Sequence, residues 1–192
     1  MSPSVIQTGD LWIVRHGETE WSRSGRHTSR TDLPLTQAGE QAATALADRL
    51  AATRFDLILT SPMQRARRTA ELAGFGDAEV DKDLMEWDYG EYEGLTTPQI
   101  REYAPGWTVW SQASPGGESA AEVAVRLDRV VARTRAVEGR VLAFGHGHAS
   151  RALAARWLGL DVAEGRLLRL DPATISVLGW EHESPAVARW NA

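Results

Sequence analysis

The 192-residue chain has a formal net charge of −5, 43% hydrophobic and 24% charged residues, and no cysteine. These values fit one soluble globular domain over 1–192 with a sizeable core. They exclude disulfides, thiolate nucleophiles and Cys-ligated metals, and the acidic balance argues against nucleic acid or an anionic membrane as a partner.

No apolar run approaches the roughly 20 residues of a membrane span. The opening "MSPSVIQTGD" lacks the basic and apolar regions of a secretory signal, so a cytoplasmic protein is expected. Lys82 is the only lysine, and the basic residues are otherwise arginines. Any anion therefore has to be gripped locally, by particular arginines.

In chain order, "DLWIV" (10–14) predicts a short buried strand. "TQAGEQAATALADRLA" (36–51) predicts a helix capped by Thr36, with Leu46 and Leu50 on one face. "FDLILT" (55–60) is a second buried strand. "SPMQRARRTAELAG" (61–74) follows as a helix, with Ser61 as cap, Pro62 at the first helical position and Gly74 as terminator. "SAAEVAVRLDRVVARTRAV" (119–137) is amphipathic, opened by a Ser119/Glu122 capping box, with Val123, Leu127, Val130, Val131 and Val137 on one stripe. "RVLAFG" (140–145) is a third strand and "HASRALAARWLG" (148–159) the helix leaving it. "GRLLRL" (165–170) and "TISVLGWEH" (174–182) read as two closing strands about a turn at Asp171-Pro172.

Alternating strands and helices predict an α/β fold: a three-layer α/β/α domain with a mostly parallel central sheet. Ligands of such sheets bind beyond the carboxyl ends of the strands. There the first strand delivers Arg15, His16 and Gly17, the second Ser61 and then Arg65, and the third His146, Gly147 and His148. A neutral imidazole is a competent nucleophile towards phosphorus, and arginine forks hold phosphoryl oxygens. What remains is a group to protonate a leaving alcohol. In "DKDLMEWDYGEYEGL" (81–95), Glu86 lies among apolar neighbours and should have a raised pKa, whereas Asp88, Glu91 and Glu93 look solvent-facing. The His146/His148 pair also suits a metal, but no third ligand is evident nearby. Trp12 and Trp157 read as core, and Trp87, Trp107 and Trp110 as lining a pocket mouth; His27 stays open.

The segments "RHGETEW", "SPMQRARRTA", "LMEWDYGEYEG" and "FGHGHASR" resemble, in order and spacing, the signatures of the histidine phosphatase superfamily, also called phosphoglycerate-mutase-like, from about residue 11 to residue 182. The resemblance implies a phosphoglycerate-mutase-like fold, no cofactor and no metal. It implies His16 as nucleophile, Arg15 and Arg65 as the phosphoryl clamp, His146 as a second histidine donating to the same group, and Glu86 as general acid and then base. Ser22 stands where mutases of the family often carry asparagine, so one phosphate ligand departs from the pattern. Thr28, Ser29, Tyr89, Gly147 and His148 are the implied substrate contacts. A homodimer is the assembly that relatives suggest.

Two family outcomes share the first half-reaction. Glu86 and His146 are 60 positions apart, and residues 101–119 hold one arginine and no lysine. Dedicated phosphoglycerate mutases carry a longer, more basic insertion there. "GRHTSRTDLPLT", "MEWDYGEYEGLTTPQI", "PGGES" and "GHGHASRALAARWLGL" are most similar to sugar-phosphate phosphatases, sedoheptulose-bisphosphate phosphatases among them, and to small bacterial acid phosphatases. The expectation is a phosphomonoesterase acting on a small phosphorylated metabolite, with a phosphoglycerate mutase as the alternative. A binding module without chemistry is disfavoured, because all five implied residues are present.

Overall fold

A computed structural model describes residues 9–192. Positions 1–8, which hold most of the segment read for a leader and the start of the expected 1–192 domain, lie outside the described residues. The elements are β1 (Asp10–Arg15), α1 (Glu20–Ser24), α2 (Gln37–Leu50), β2 (Leu57–Thr60), α3 (Gln64–Leu72), β3 (Glu79–Val80), α4 (Thr97–Tyr103), α5 (Ala120–Arg135), β4 (Arg140–Gly145), α6 (Gly147–Trp157), β5 (Ile175–Glu181) and β6 (Ser184–Arg189).

Helix starts follow local chemistry. The Thr36 hydroxyl accepts from the Gly39 N–H and opens α2. Ser119 and Glu122 form the expected capping box of α5. Two further boxes, Thr19/Ser22 and Thr96/Gln99, open α1 and α4. Each reciprocal pair satisfies amide groups that the first turn leaves without partners. α3 differs from expectation. It begins at Gln64 after an uncapped Met63, so Pro62 precedes the helix. The Ser61 hydroxyl faces His146 instead.

The sheet order is β3-β2-β4-β1-β5-β6. The first four strands are parallel, and β5 and β6 are antiparallel additions at one edge. Alternation along the strands sends side chains to both faces. Leu11, Ile13, Val141 and Ala143 pack with Val123, Leu127 and Val130 of α5 and Leu153 and Trp157 of α6. Val14, Leu142 and Phe144 pack on the other face with Leu46 and Leu50 of α2 and Ala70 of α3. Each fully buried Leu, Val or Phe contributes roughly 1.5–3 kcal/mol. The result is the three-layer α/β/α arrangement.

The C-terminal region departs from expectation. Residues 165–170 form no strand: Val162–Leu167 is a 3-10 helix capped by the Asp161 carboxylate, and Leu167 is exposed. On its outer side β5 pairs with β6, joined through His182-Glu183, with His182 at φ 54°. That turn lacks the Asn-Gly or Asp-Gly pair that marks a hairpin in sequence.

The topology positions the site. β1 and β4 are parallel neighbours, with Arg15 opposite Gly145. The chain leaves β1 towards α2 on one face and leaves β4 into α6 on the other, which opens a crevice at their carboxyl ends. Two glycines allow the chain to cross here. A Cβ on Gly17 would lie 2.5 Å from the Gly39 carbonyl oxygen, and one on Gly39 would lie 2.2 Å from that of Glu18.

Candidate active site

Register brings the two histidines together. Each strand ends one residue before its histidine, and the His16 N–H donates to the Gly145 carbonyl at 3.0 Å. The His16 and His146 rings are 5.2 Å apart between centroids. His16 Nδ1 lies 2.7 Å from the Gly17 carbonyl oxygen. A carbonyl only accepts, so Nδ1 carries the proton and Nε2 keeps its lone pair. His16 lines a cavity of about 270 Å³ shared with Arg15, Glu86, Tyr89, Gly147 and His148. Burial, then the charges of Arg65 and Arg15, push His16 well below the ordinary histidine range. The ring is therefore held neutral.

The Arg15 guanidinium also lines this cavity. Its Nη1 donates to the Leu170 carbonyl at 2.5 Å, while its Nε is buried with no partner among the described residues. A buried N–H left unbonded is costly, and Gly147 packs against this end of the guanidinium.

Arg65 and His146 lie deeper than sequence reasoning implies. Both are fully buried and form a layer next to His16, outside the residues that line the cavity. Arg65 makes four hydrogen bonds with five available N–H groups: Nε to His146 Nδ1, Nη1 to Thr31, and Nη2 to Thr28 and Ser29 carbonyls. Since arginine only donates, His146 Nδ1 accepts. The proton is on Nε2, which donates to the Ser61 hydroxyl at 2.7 Å. Burial and Arg65 hold His146 neutral as well.

Glu86 is buried, but its surroundings are polar, which corrects the apolar environment expected for it. Its Oε1 accepts from the Trp87 and Ala149 N–H groups at 2.9 and 2.7 Å, and its Oε2 from the His148 N–H at 3.0 Å. The carboxylate thus sits on the N-terminus of α6, where the helix offers unpaired N–H groups. Buttressing comes from Glu118 and Arg126. Arg126 donates to the Asp83 and Met85 carbonyls and to both Glu118 oxygens, and Glu118 accepts from the Asp88 N–H.

Asp88 and Glu93 are not the solvent-facing charges expected. Asp88 pairs with Arg30 at 2.6 Å. Glu93 accepts from the Ser29 and Thr31 N–H groups and so fixes the loop that Arg65 also grips. Thr28 lines the cavity. Ser29 does not: it is buried, with its hydroxyl donating to the Glu86 carbonyl at 3.3 Å. Ser22 lines the cavity, but its hydroxyl accepts from the Thr19 N–H in the α1 capping box.

Tyr89 and His148 are joined between the hydroxyl and Nδ1 at 2.6 Å, and the His148 ring stacks on His27 at 5.8 Å. Burial alone lowers His27 to about 4. His148 is lowered too, by burial and then by Arg151. The tryptophans correct the expected pocket mouth: Trp87 and Trp107 belong to the core, and Trp110 packs edge-on behind His148. Gly25, Arg26, His27, Thr97, Arg151 and Leu170 complete the cavity wall. Arg151 follows Gly147 by one helical turn, a spacing visible in "GHGHASR"; Arg26 carries no comparable signal. Among the described residues, no group of three or more His, Cys, Asp or Glu could hold a metal ion. His146 and His148 face different partners.

A doubly wound sheet with a neutral histidine flanked by guanidinium groups at its switch point defines an α/β protein with an arginine-lined crevice at its carboxyl edge. The family model of the histidine phosphatase superfamily (branch 1) matches residues 11–192, and the chain belongs to that superfamily. It is similar to an acid phosphatase of Mycobacterium tuberculosis, 46% identical over 181 residues, covering 92% of this chain and 89% of that protein. It is similar to a sedoheptulose 1,7-bisphosphatase of Saccharomyces cerevisiae, 38% identical over 183 residues, covering 78% of this chain and 68% of that one. The solved structure of a mycobacterial glucosyl-3-phosphoglycerate phosphatase complexed with VO3 matches with a TM-score of 0.86 at 32% identity, covering 96% of this chain and all of that one. Among the described residues, no helix is long and apolar enough to cross a membrane.

Proposed function

We propose that this protein hydrolyses phosphomonoesters of small metabolites, sugar phosphates foremost, through a phosphohistidine at His16. One observation carries the reading: the Gly17 carbonyl fixes the proton on Nδ1, leaving the His16 Nε2 lone pair free in a cavity that Arg15 also lines. The phosphatase names of three similar proteins support the same reaction class.

In the first step, Nε2 forms a bond to phosphorus as the ester P–O bond breaks. Glu86 gives its proton to the leaving oxygen. In the second, water attacks phosphorus, Glu86 takes the proton from that water, and the N–P bond breaks to release phosphate. Arg15 stabilises the equatorial oxygens from the cavity side. Arg65 contributes its charge from the buried layer beneath the cavity. His146 passes its Nε2–H from Ser61 to a phosphoryl oxygen. Thr28, Tyr89, Gly147 and His148 shape the space for the rest of the substrate, with Ser22 at the edge and Ser29 as a support behind. No metal or cofactor enters these steps. A cytoplasmic setting and a homodimer complete the reading; the first follows from phosphorylated metabolites as substrates, the second from the family resemblance.

The test is phosphate release in the presence of chelator, wild type against His16→Ala. The substrates are an aryl phosphate, sugar mono- and bisphosphates and 3-phosphoglycerate, with 2-phosphoglycerate formation followed in parallel. Phosphate release abolished by the substitution, with little isomer formed, is the expected result. Rapid isomer formation with little free phosphate would establish the mutase instead.

A further inference from the structure

Thr69 belongs to the segment "SPMQRARRTA" and takes no part in the hydrolytic steps, yet it is fully buried. It lies on α3 four residues after Arg65, and its hydroxyl donates to the Arg65 carbonyl at 2.7 Å. A hydroxyl has one hydrogen, and that bond uses it. The oxygen keeps its lone pairs, and one accepts the Gly17 N–H at 3.0 Å. A single side chain therefore ties the helix that carries Arg65 to the backbone that follows His16. Branching at Cβ restricts the threonine rotamer, so the hydroxyl is presented in a fixed direction.

Gly17 needs such a tie. Its carbonyl is the acceptor that holds the His16 proton on Nδ1. The crossing against Gly39 leaves no room for a Cβ at this position, and a glycine backbone is freer than any other. Hydrogen bonds have to supply the restraint that a side chain would give. On the near side, the His16 carbonyl accepts from the Ala173 N–H at 3.3 Å, a donor it shares with the Arg15 carbonyl at 3.0 Å. On the far side, the Glu18 carbonyl accepts from the Thr36 N–H at 2.8 Å. Between these two, the buried Gly17 N–H is bonded to Thr69. Without that hydroxyl the N–H has no acceptor, and the peptide turns to find one. The Gly17 carbonyl then leaves Nδ1, and the imidazole proton distributes over both ring nitrogens. An Nε2 that carries the proton has no lone pair for phosphorus.

We propose that Thr69 is a positioning residue for His16: its hydroxyl fixes the Gly17 backbone, and through the Gly17 carbonyl it keeps Nδ1 protonated and the Nε2 lone pair turned to the cavity. Its importance for turnover rests on the reading of His16 as the nucleophile. Thr69 does not line the cavity, so substrate binding is left to other groups and the effect falls on the chemical step.

Thr69→Val keeps the shape and removes the acceptor, whereas Thr69→Ser keeps the hydroxyl. Nitrogen-15 NMR of histidine-labelled protein at neutral pH reads the His16 tautomer without substrate, with His16→Ala to assign the signal. Phosphate release from 4-nitrophenyl phosphate gives kcat and KM, and melting temperatures are recorded for each variant. Wild type and Thr69→Ser should show the proton on Nδ1. Thr69→Val should show a mixture of tautomers, with kcat lower by about 10- to 100-fold and KM changed by less than about threefold. Thr69→Ser should hold kcat within about threefold of wild type. If Thr69→Val does not fold, Thr69→Ala, which removes both γ atoms, carries the same comparison. An unchanged His16 tautomer in the Val or Ala variant, a kcat that does not follow the tautomer, or equal losses in the Ser and Val variants overturns the proposal. A tautomer that changes with Thr69 in a protein whose phosphate release does not depend on His16 would overturn the hydrolytic mechanism and leave the positioning of His16 standing.

Discussion

At residue scale the site depends on proton placement. His16 is kept neutral and oriented by the Gly17 carbonyl, and His146 is oriented by Arg65 and Ser61. Glu86 is the residue whose role is tested most sharply by substrate choice. An alkyl phosphate needs its leaving oxygen protonated, whereas an activated aryl phosphate does not. Glu86→Gln should therefore slow alkyl phosphates by at least ~100-fold and 4-nitrophenyl phosphate by less than ~10-fold. Gln places an amide N–H₂ against backbone N–H donors that now face a carboxylate, so the melting temperature should be followed alongside. Equal losses on both substrates would remove Glu86 from the acid role. The candidate residues themselves were legible: Arg15, His16, Gly147 and His148 meet in one cavity, as their positions at strand ends suggest, and Glu86 joins them from the segment 81–95. The depth of Arg65 and His146 was not. It depends on how a distant loop, 28–31, wraps over α3. The polar seat of Glu86 was hidden for a similar reason, since two of its three donors lie 62 and 63 residues downstream.

At the scale of elements, close approaches and one ion pair hold the site walls. The exit from β1 crosses the start of α2 at Gly17 and Gly39, backed by the Thr36 N–H donating to the Glu18 carbonyl at 2.8 Å. Gly39→Ala puts a methyl into the Glu18 backbone and should cost at least ~2 kcal/mol, read by chemical denaturation, with activity falling as β1's exit shifts. Unchanged stability would mean that the crossing is looser than described. The Arg126–Glu118 pair buttresses both sides of Glu86. Arg126→Gln should cost about 3 kcal/mol, because it leaves Glu118 and two carbonyls without their donor. A loss below 1 kcal/mol would show that the segment before Glu86 holds itself. Elements with strong caps and a clear 3.6-residue stripe, α2 and α5 above all, were readable from sequence. "GRLLRL" misleads because its leucines are apolar without being paired, and β6 is obscured by a hairpin turn of His182 and Glu183. Trp87 and Trp107 look like pocket residues in sequence, yet they fill the core beside α5.

For the whole molecule, charge and titration act together. The chain carries −5 overall but concentrates guanidinium groups in one crevice, which local clustering permits and net charge conceals. His16, His27, His146 and His148 are all held below 6.5, His27 at about 4. Below pH 6.5 the unfolded chain takes up protons at these positions while the folded chain does not. Stability is therefore complete above 6.5 and falls as pH drops towards about 4. Melting temperatures across pH 7.5 to 4.5 should decline through that window, and His27→Gln should make the decline shallower. A flat profile would contradict the neutral histidine cluster.

The central claim is a covalent phosphate on His16. The most direct measurement is rapid quenching of wild-type protein with a labelled phosphomonoester into neutral or alkaline conditions, which preserve phosphohistidine, followed by mass-spectrometric mapping. The account predicts phosphate on His16, lost on acid treatment and absent from His16→Ala. Phosphate on an aspartate or serine, or turnover that persists in His16→Ala, would contradict it.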